Sequence, residues 1–291
     1  MLMIDAHHHL WDMSKATYPW LEAKGTKRFF GMPDPIRNNY LPADYFEDHK
    51  GYVDQSVHVQ VGCIPEHNLK ETELVESFIR QGAPILAIVA AVDVTKSDLE
   101  QQLEKQLTFP NVKGVRHMIG KSPEENHQLP KFVGENWLRG WKLIAEHNLS
   151  FDLQLTSEQY EKVYETLKLV PELKVAICHF GSPWDQTEQG FKNWQFWMQQ
   201  FAQLPNCFIK LSGFSMFTHS FSETNFIKYS KTAINIFGVK RCMFGSNFPV
   251  DKLHTTYQDL ISAWQKLLNE YNVEQQSWLN HKSAERFYLN A

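Results

Sequence analysis

Eight short runs of apolar, largely β-branched residues recur along this chain, each followed by a longer amphipathic stretch. The runs are Met3–His7, Ser56–Val61, Ile85–Val94, Val112–Ile119, Leu149–Leu155, Lys174–Phe180, Cys207–Leu211 and Arg241–Phe244. Strands that are apolar throughout, rather than alternately, belong to parallel sheets covered on both faces. Helical patterns fill the gaps: Glu66–Gln81, Ser97–Leu107, Trp137–His147, Ser157–Leu169, Phe191–Leu204, Ser222–Phe237 and Tyr257–Tyr271, with Ser157 and Ser222 as caps. Every gap is long enough for a right-handed crossover, and eight such units close into a single (β/α)8 barrel. A doubly wound open sheet is the rival, but no GxGxxG follows the first strand. With 291 residues and no linker or repeat, one domain spanning 1–291 is expected.

Residues 12–52 break the rhythm. Tyr18-Pro19-Trp20, Met32-Pro33-Asp34-Pro35 and Leu41-Pro42 predict a mostly irregular segment, and its aromatic content predicts an ordered loop over the barrel mouth.

Net charge is −4, and no basic patch stands out, which argues against nucleic acid or an anionic membrane as partner. No stretch approaches the roughly 18 consecutive apolar residues of a membrane span. The amino terminus lacks a basic n-region and an apolar core of signal-peptide length. The four cysteines form no CxxC pair, and three lie in apolar runs, as buried reduced thiols do. A cytoplasmic protein acting on a small molecule is the expectation. Outer barrel helices leave homo-oligomerisation open.

In such a barrel, function sits at the carboxyl ends of the strands. Polar residues collect there: His7, His8 and His9, His58 and Gln60, Asp93, Arg116 and His117, Asp152 and Gln154, His179, Lys210 and Ser212, and Asn247. His7 and His9 are two apart on a strand, so both imidazoles face one side and His8 the other. Two converging nitrogens can chelate a divalent ion, zinc foremost. His179 closes the sixth run, and Arg116 offers a fork suited to a carboxylate or polarised carbonyl. Against this, a lone strand-end histidine is more often structural, Arg116 can simply form a rim salt bridge, and Trp11, Trp20 and Trp184 can be packing residues.

Taken together, these blocks resemble the amidohydrolase-related family, in its branch of sugar-lactone and pyrone-dicarboxylate lactonases. The resemblance rests on Ile4-Asp5-Ala6-His7-His8-His9-Leu10-Trp11-Asp12, Tyr18-Pro19-Trp20-Leu21 and Val112-Lys113-Gly114-Val115-Arg116. It continues with His179-Phe180-Gly181-Ser182-Pro183, Lys210-Leu211-Ser212-Gly213 and Met243-Phe244-Gly245-Ser246-Asn247-Phe248-Pro249-Val250. It implies a barrel that opens a small sugar-acid or carboxylated lactone. His7, His9 and His179 would bind a divalent metal, zinc first, although some members of this branch work without one. Arg116 would grip the substrate, with His117, Gln60, Trp20 and Gln154 around it. Members usually carry Asp after Gly-Ser on the eighth strand, as the base that activates water; here that position is Asn247. An amide orients water but cannot take its proton. A metal-bound hydroxide, another base (His117 or Asp251), or loss of hydrolysis would each accommodate the change. Decarboxylation and ligand binding without turnover are the alternatives to lactone hydrolysis.

Overall fold

The computed structural model describes residues 2–121 and 135–289. Its strands are β1 (Ile4–His8), β2 (Gln55–Val59), β3 (Ile85–Ala91), β4 (Val112–Arg116), β5 (Ser150–Leu153), β6 (Lys174–Ile177), β7 (Cys207–Leu211) and β8 (Cys242–Phe244). They pair in parallel, in chain order, within one sheet. The ring closes just past β8: the Asn247 N–H donates to the His7 carbonyl (2.7 Å), and the His9 N–H donates to that of Phe248 (2.8 Å). This is the expected (β/α)8 barrel.

Its helices are α1 (Pro19–Glu22), α2 (Pro42–His49), α3 (Asn68–Arg80), α4 (Leu99–Gln106), α5 (Glu135–Glu146), α6 (Tyr160–Leu167), α7 (Glu188–Ala202), α8 (Glu223–Phe237), α9 (Tyr257–Leu268), α10 (Val273–Ser277) and α11 (Ser283–Leu289). Among the described residues no helix is long and apolar enough to cross a membrane. The Ser222 side chain caps α8 by accepting the Asn225 N–H. Ser157 is not a cap; it lies inside the turn preceding α6, and Thr156 holds the cap position.

Both strand faces are buried, and the apolar residues form two shells. Val57, Val59, Ala87, Val89, Ala176, Phe208 and Met243 fill the barrel interior together with Ala284, Phe287 and Tyr288 of α11. The alternate residues, such as Val115, Phe151, Ile177 and Ile209, pack outward under the helices. Of the four thiols, Cys178, Cys207 and Cys242 are buried and Cys63 is half-buried, all unpaired.

Two departures from the sequence pattern bear on the site. Most of the overlong apolar runs end two or three residues early, because the polar residues that follow leave the sheet for the mouth. Segment 12–52 is also less irregular than its prolines suggest. Pro42 sits at the first position of α2, where its fixed φ and missing N–H cost nothing, and Asp44 accepts the Leu41 N–H at 2.8 Å.

Candidate active site

Strand β1 fixes the histidines through an irregularity. Ile4 and Ala6 point into the interior, so strict alternation would turn His8 inward and His7 outward. The pairing register with β2 shifts between Asp5 and His8, and such a bulge re-aims the side chains beyond it. His7 and His9 then face each other inside, with ring centroids 5.1 Å apart. His8 stacks outward on Tyr45 at 4.3 Å. His58 also faces away from the mouth, its Nε2 3.9 Å from Glu71 Oε1 on α3.

His179 follows β6 with φ +53°, in a run where Phe180 and Ser182 also have positive φ. Side chains rarely adopt that region, and such strain gathers at functional sites. The turn brings the His179 ring to 4.4 Å from that of His7. Gly213 makes room for it: a Cβ there would lie 2.4 Å from His179 Nδ1. Gly245 does the same beside His7, where a Cβ would come within 2.8 Å of the His7 Cβ.

The hydrogen bonds decide which ring nitrogens are available. His9 Nδ1 lies 2.7 Å from the Val59 carbonyl, which can only accept, so Nδ1 carries the proton. Nε2 is left with a lone pair. His179 Nδ1 is held by Ser212 Oγ at 3.0 Å, turning Nε2 away from β7. Both nitrogens of His7 are buried without a partner. Burial pushes all three imidazoles well below their usual pKa, helped by His179 and Lys210 around His7 and by Arg116 around His9 and His179. They are neutral donors at pH 7, each anchored ring held by its other nitrogen as metal-bound histidines are.

Asn247, at φ +58°, sits beside them. Its Oδ1 lies 3.3 Å from His9 Nε2, while its Nδ2 donates to Asp251 Oδ1 (3.2 Å). With the His9 proton on Nδ1, Oδ1 and Nε2 present two lone pairs to each other, an arrangement that suits a shared cation. Burial raises the Asp251 carboxyl to about 7, against the bonds from Asn247 and Ser215 that favour its charged form.

Beneath His7 a second set converges. His7, Asp152 and Cys178 offer ligand atoms within 4.8 Å of one another. Asp152 is already engaged, by the Lys210 ammonium in a fully buried ion pair and by the Tyr288 hydroxyl at 3.0 Å. Burial pushes the Cys178 thiol up to about 12, so it stays protonated. His7 belongs to both sets; among the described residues the lower set is the one whose ligand atoms all lie within 4.8 Å of one another, while the rings of His9 and His179 flank His7 on the other side. A divalent ion fits this donor chemistry.

Arg116, at the end of β4, donates Nη2 to the Gln60 carbonyl and Nη1 to Gln154 Oε1 at 3.4 Å, and its Nε has no partner. A cavity of about 320 Å³ opens above these groups, within the range of about 300–1,000 Å³ usual for small-molecule sites. His9, His179, Arg116, Gln154, Asn247 and Trp20 line it. Pro19, Trp20, Arg28, Phe29 and Phe30 of the long first segment form part of its wall.

Two expected substrate contacts lie elsewhere. The Gln60 side chain and His117 line a neighbouring polar groove with Asp93 and Lys96. His117 stacks on Trp137 at 5.0 Å and accepts the Val94 N–H at 3.2 Å. Trp11 is fully buried packing, bonded to the Asn38 carbonyl at 2.6 Å, and Trp184 lies beyond the cavity against Phe217. Sequence reasoning passed over Arg28, Phe30 and Met216 in the wall and Ser212 as the anchor of His179. Only Ser212, inside a quoted block, carried a signal.

A family model described as amidohydrolase matches residues 4–289. The chain belongs to the amidohydrolase family. It is an enzyme of that family, and the named relatives lie in its lactonase branch. This amidohydrolase is 32% identical to the uncharacterized protein y4mH of Sinorhizobium fredii, over 98% of both chains. It is 24% identical to an L-fucono-1,5-lactonase of Burkholderia multivorans, over 90% of this chain and 86% of that one. The fold is shared with a crystal structure of an amidohydrolase from Burkholderia multivorans with bound zinc, at a TM-score of 0.81, 20% identity and 99% coverage of both chains.

Proposed function

We propose that this amidohydrolase opens a small lactone by attack of water on the ester carbonyl. The observation that carries the reading is the packing of three neutral imidazoles, from β1 and the turn after β6, two of which, His9 and His179, line one cavity with Arg116 and Asn247. His7, His9 and His179 would hold a divalent ion, for which zinc suits an all-nitrogen set. Such an ion would polarise the carbonyl and lower the pKa of its water to about 7.

The chain's own residues do the rest. Trp20 and Phe30 shield the ring from solvent, and Trp20 is fixed by its indole N–H to the Val61 carbonyl at 3.0 Å. Arg116 aims its fork at a substrate oxygen. Asn247, locked between His9 and Asp251, orients water through its amide but takes no proton. Activity should therefore depend on the ion for the step that an aspartate performs in related enzymes.

A pH-stat assay of the purified protein across a panel of lactones tests this, with and without zinc or manganese. Acidification that chelator abolishes and zinc restores is expected. Absence of acidification across the panel, under both conditions, overturns the reading. Asn247 also favours a second reading, decarboxylation, which needs no base for water; release of CO₂ from ring carboxylates without acidification would establish it instead.

A further inference from the structure

A tight turn supplies part of the cavity wall, and two histidines outside the cavity hold it there. Arg28 and Gly31 exchange both backbone hydrogen bonds, at 2.8 and 3.0 Å, which leaves Phe29 and Phe30 at the tip. Gly25 (φ +68°) and Gly31 (φ +116°) bound the segment with backbone that side chains rarely adopt. These cross-bonds shape the turn without fixing it against the barrel. Its tip carbonyls make that connection. His254 Nε2 donates to the Phe30 carbonyl at 2.6 Å, and His219 Nε2 donates to that of Phe29 at 2.7 Å. A carbonyl only accepts, so both Nε2 atoms carry protons. Gly31 permits the approach: a Cβ there would lie 3.1 Å from His254 Cε1.

The two imidazoles reach the turn from separate loops. His219 follows β7 with φ +52°, and His254 lies on the turn after β8. Their rings stack 5.3 Å apart at 20°. The His254 N–H donates to the Asp251 carbonyl at 2.9 Å, and Asp251 accepts from Asn247, so one turn carries both the support of the wall and the reacting amide. Turn carbonyls are commonly left to water; here side chains claim both. The consequence is the placement of the Phe30 ring, which is buried with Met216 and Val250 and stands edge-on to Trp20 at 5.5 Å. Neither His219 nor His254 lines the cavity itself.

Resting on the lactonase reading for the reaction served, we infer that His219 and His254 are positioning residues. They hold Phe30 as the wall against which the substrate ring packs, and so set affinity without touching the substrate. A wall contact is made alike before and in the transition state, so its loss falls on KM and spares kcat.

The test pairs kinetics with hydrogen exchange, which needs no substrate. With the lactone that opens fastest in the pH-stat panel, His219→Ala with His254→Ala should raise KM about tenfold and keep kcat within about twofold. Backbone exchange over 26–31 should quicken at least about tenfold, with the barrel strands unchanged. His254→Gln, whose amide N–H can replace Nε2–H, should stay within about threefold of the parent KM. Phe30→Ala should reproduce the rise in KM, and adding it to the double histidine variant should raise KM no further, because the effects share one ring. An unchanged KM, a fall in kcat alone, or effects that add to those of Phe30→Ala overturn the inference and leave lactone hydrolysis standing. Faster exchange in the strands as well also overturns it, since the histidines then sustain the fold at large. If no lactone opens, exchange decides alone: a rise confined to 26–31 upholds the placement of the wall while the hydrolytic reading fails, and no rise overturns both.

Discussion

The two ends of this barrel are built on opposite terms. At the bottom, α11 closes the ring with Ala284, Phe287 and Tyr288 packed against the interior valines and alanines, and its polar groups are matched. Tyr288 of α11 donates to Asp152, which also accepts from Lys210. At the mouth, His7 has two unpartnered ring nitrogens, Arg116 has an unpartnered Nε, and His179, Phe180, Ser182 and Asn247 hold positive φ. Matched polar groups and dense packing stabilise; unmatched groups and strain persist where a ligand completes them. The contrast separates the half of the barrel that sustains the fold from the half that acts.

The largest effects should divide along that line. His179→Ala is expected to lower kcat/KM about a thousandfold, roughly 4 kcal/mol of barrier, with the urea midpoint unchanged or higher. Phe287→Ala should do the reverse, costing about 3–5 kcal/mol of stability while the folded fraction retains its kcat/KM. Loss of activity and stability together in both variants would dissolve the distinction.

A smaller effect sharpens the mouth itself. Asn247→Asp restores the family's usual residue but sets two carboxyls about 3.2 Å apart beside Asp251, and such a pair shares one proton. We expect the single variant to lose about tenfold in activity at pH 7, and Asn247→Asp with Asp251→Asn to recover it. A single variant more active than its parent would show that Asp251 does not constrain the site.

The smallest effect is in stability against pH. Asp251 has a carboxyl raised to about 7 in the folded chain against 3.8 in the unfolded one. Between those values the folded state keeps a proton that the unfolded state releases, so stability falls as pH rises from about 4 to about 7. Asp251→Asn should remove that fall and raise Tm at pH 8 by about 2–4 °C, with no gain at pH 4. Equal shifts at both pH values would assign the effect to packing instead.

Much of the barrel was legible because each strand is apolar on both faces and each gap is long enough for a crossover. The pairing of His7 with His9 followed from their spacing alone. The outward turn of His58 did not, since period-2 reasoning cannot say which face of β2 looks inward. Ser157 was misassigned as a cap because Thr156 offers the same chemistry one residue earlier. His117 and Gln60 were drawn into the site by position at strand ends, yet they line the adjoining groove, because the overlong strand readings hid where the chain turns.

The sequence by itself determined the eightfold alternation, the order of the polar blocks and the identity of the three imidazoles, all of which depend on local pattern. The tertiary structure decided three things. The bulge in β1 turned His7 inward, the closing bonds to β8 set Asn247 between His9 and Asp251, and Arg116 came to donate to the Gln60 carbonyl and the Gln154 amide. Each is a relation between residues far apart in the chain, and the hydrogen bonds and burial that fix it exist only once the ring has closed.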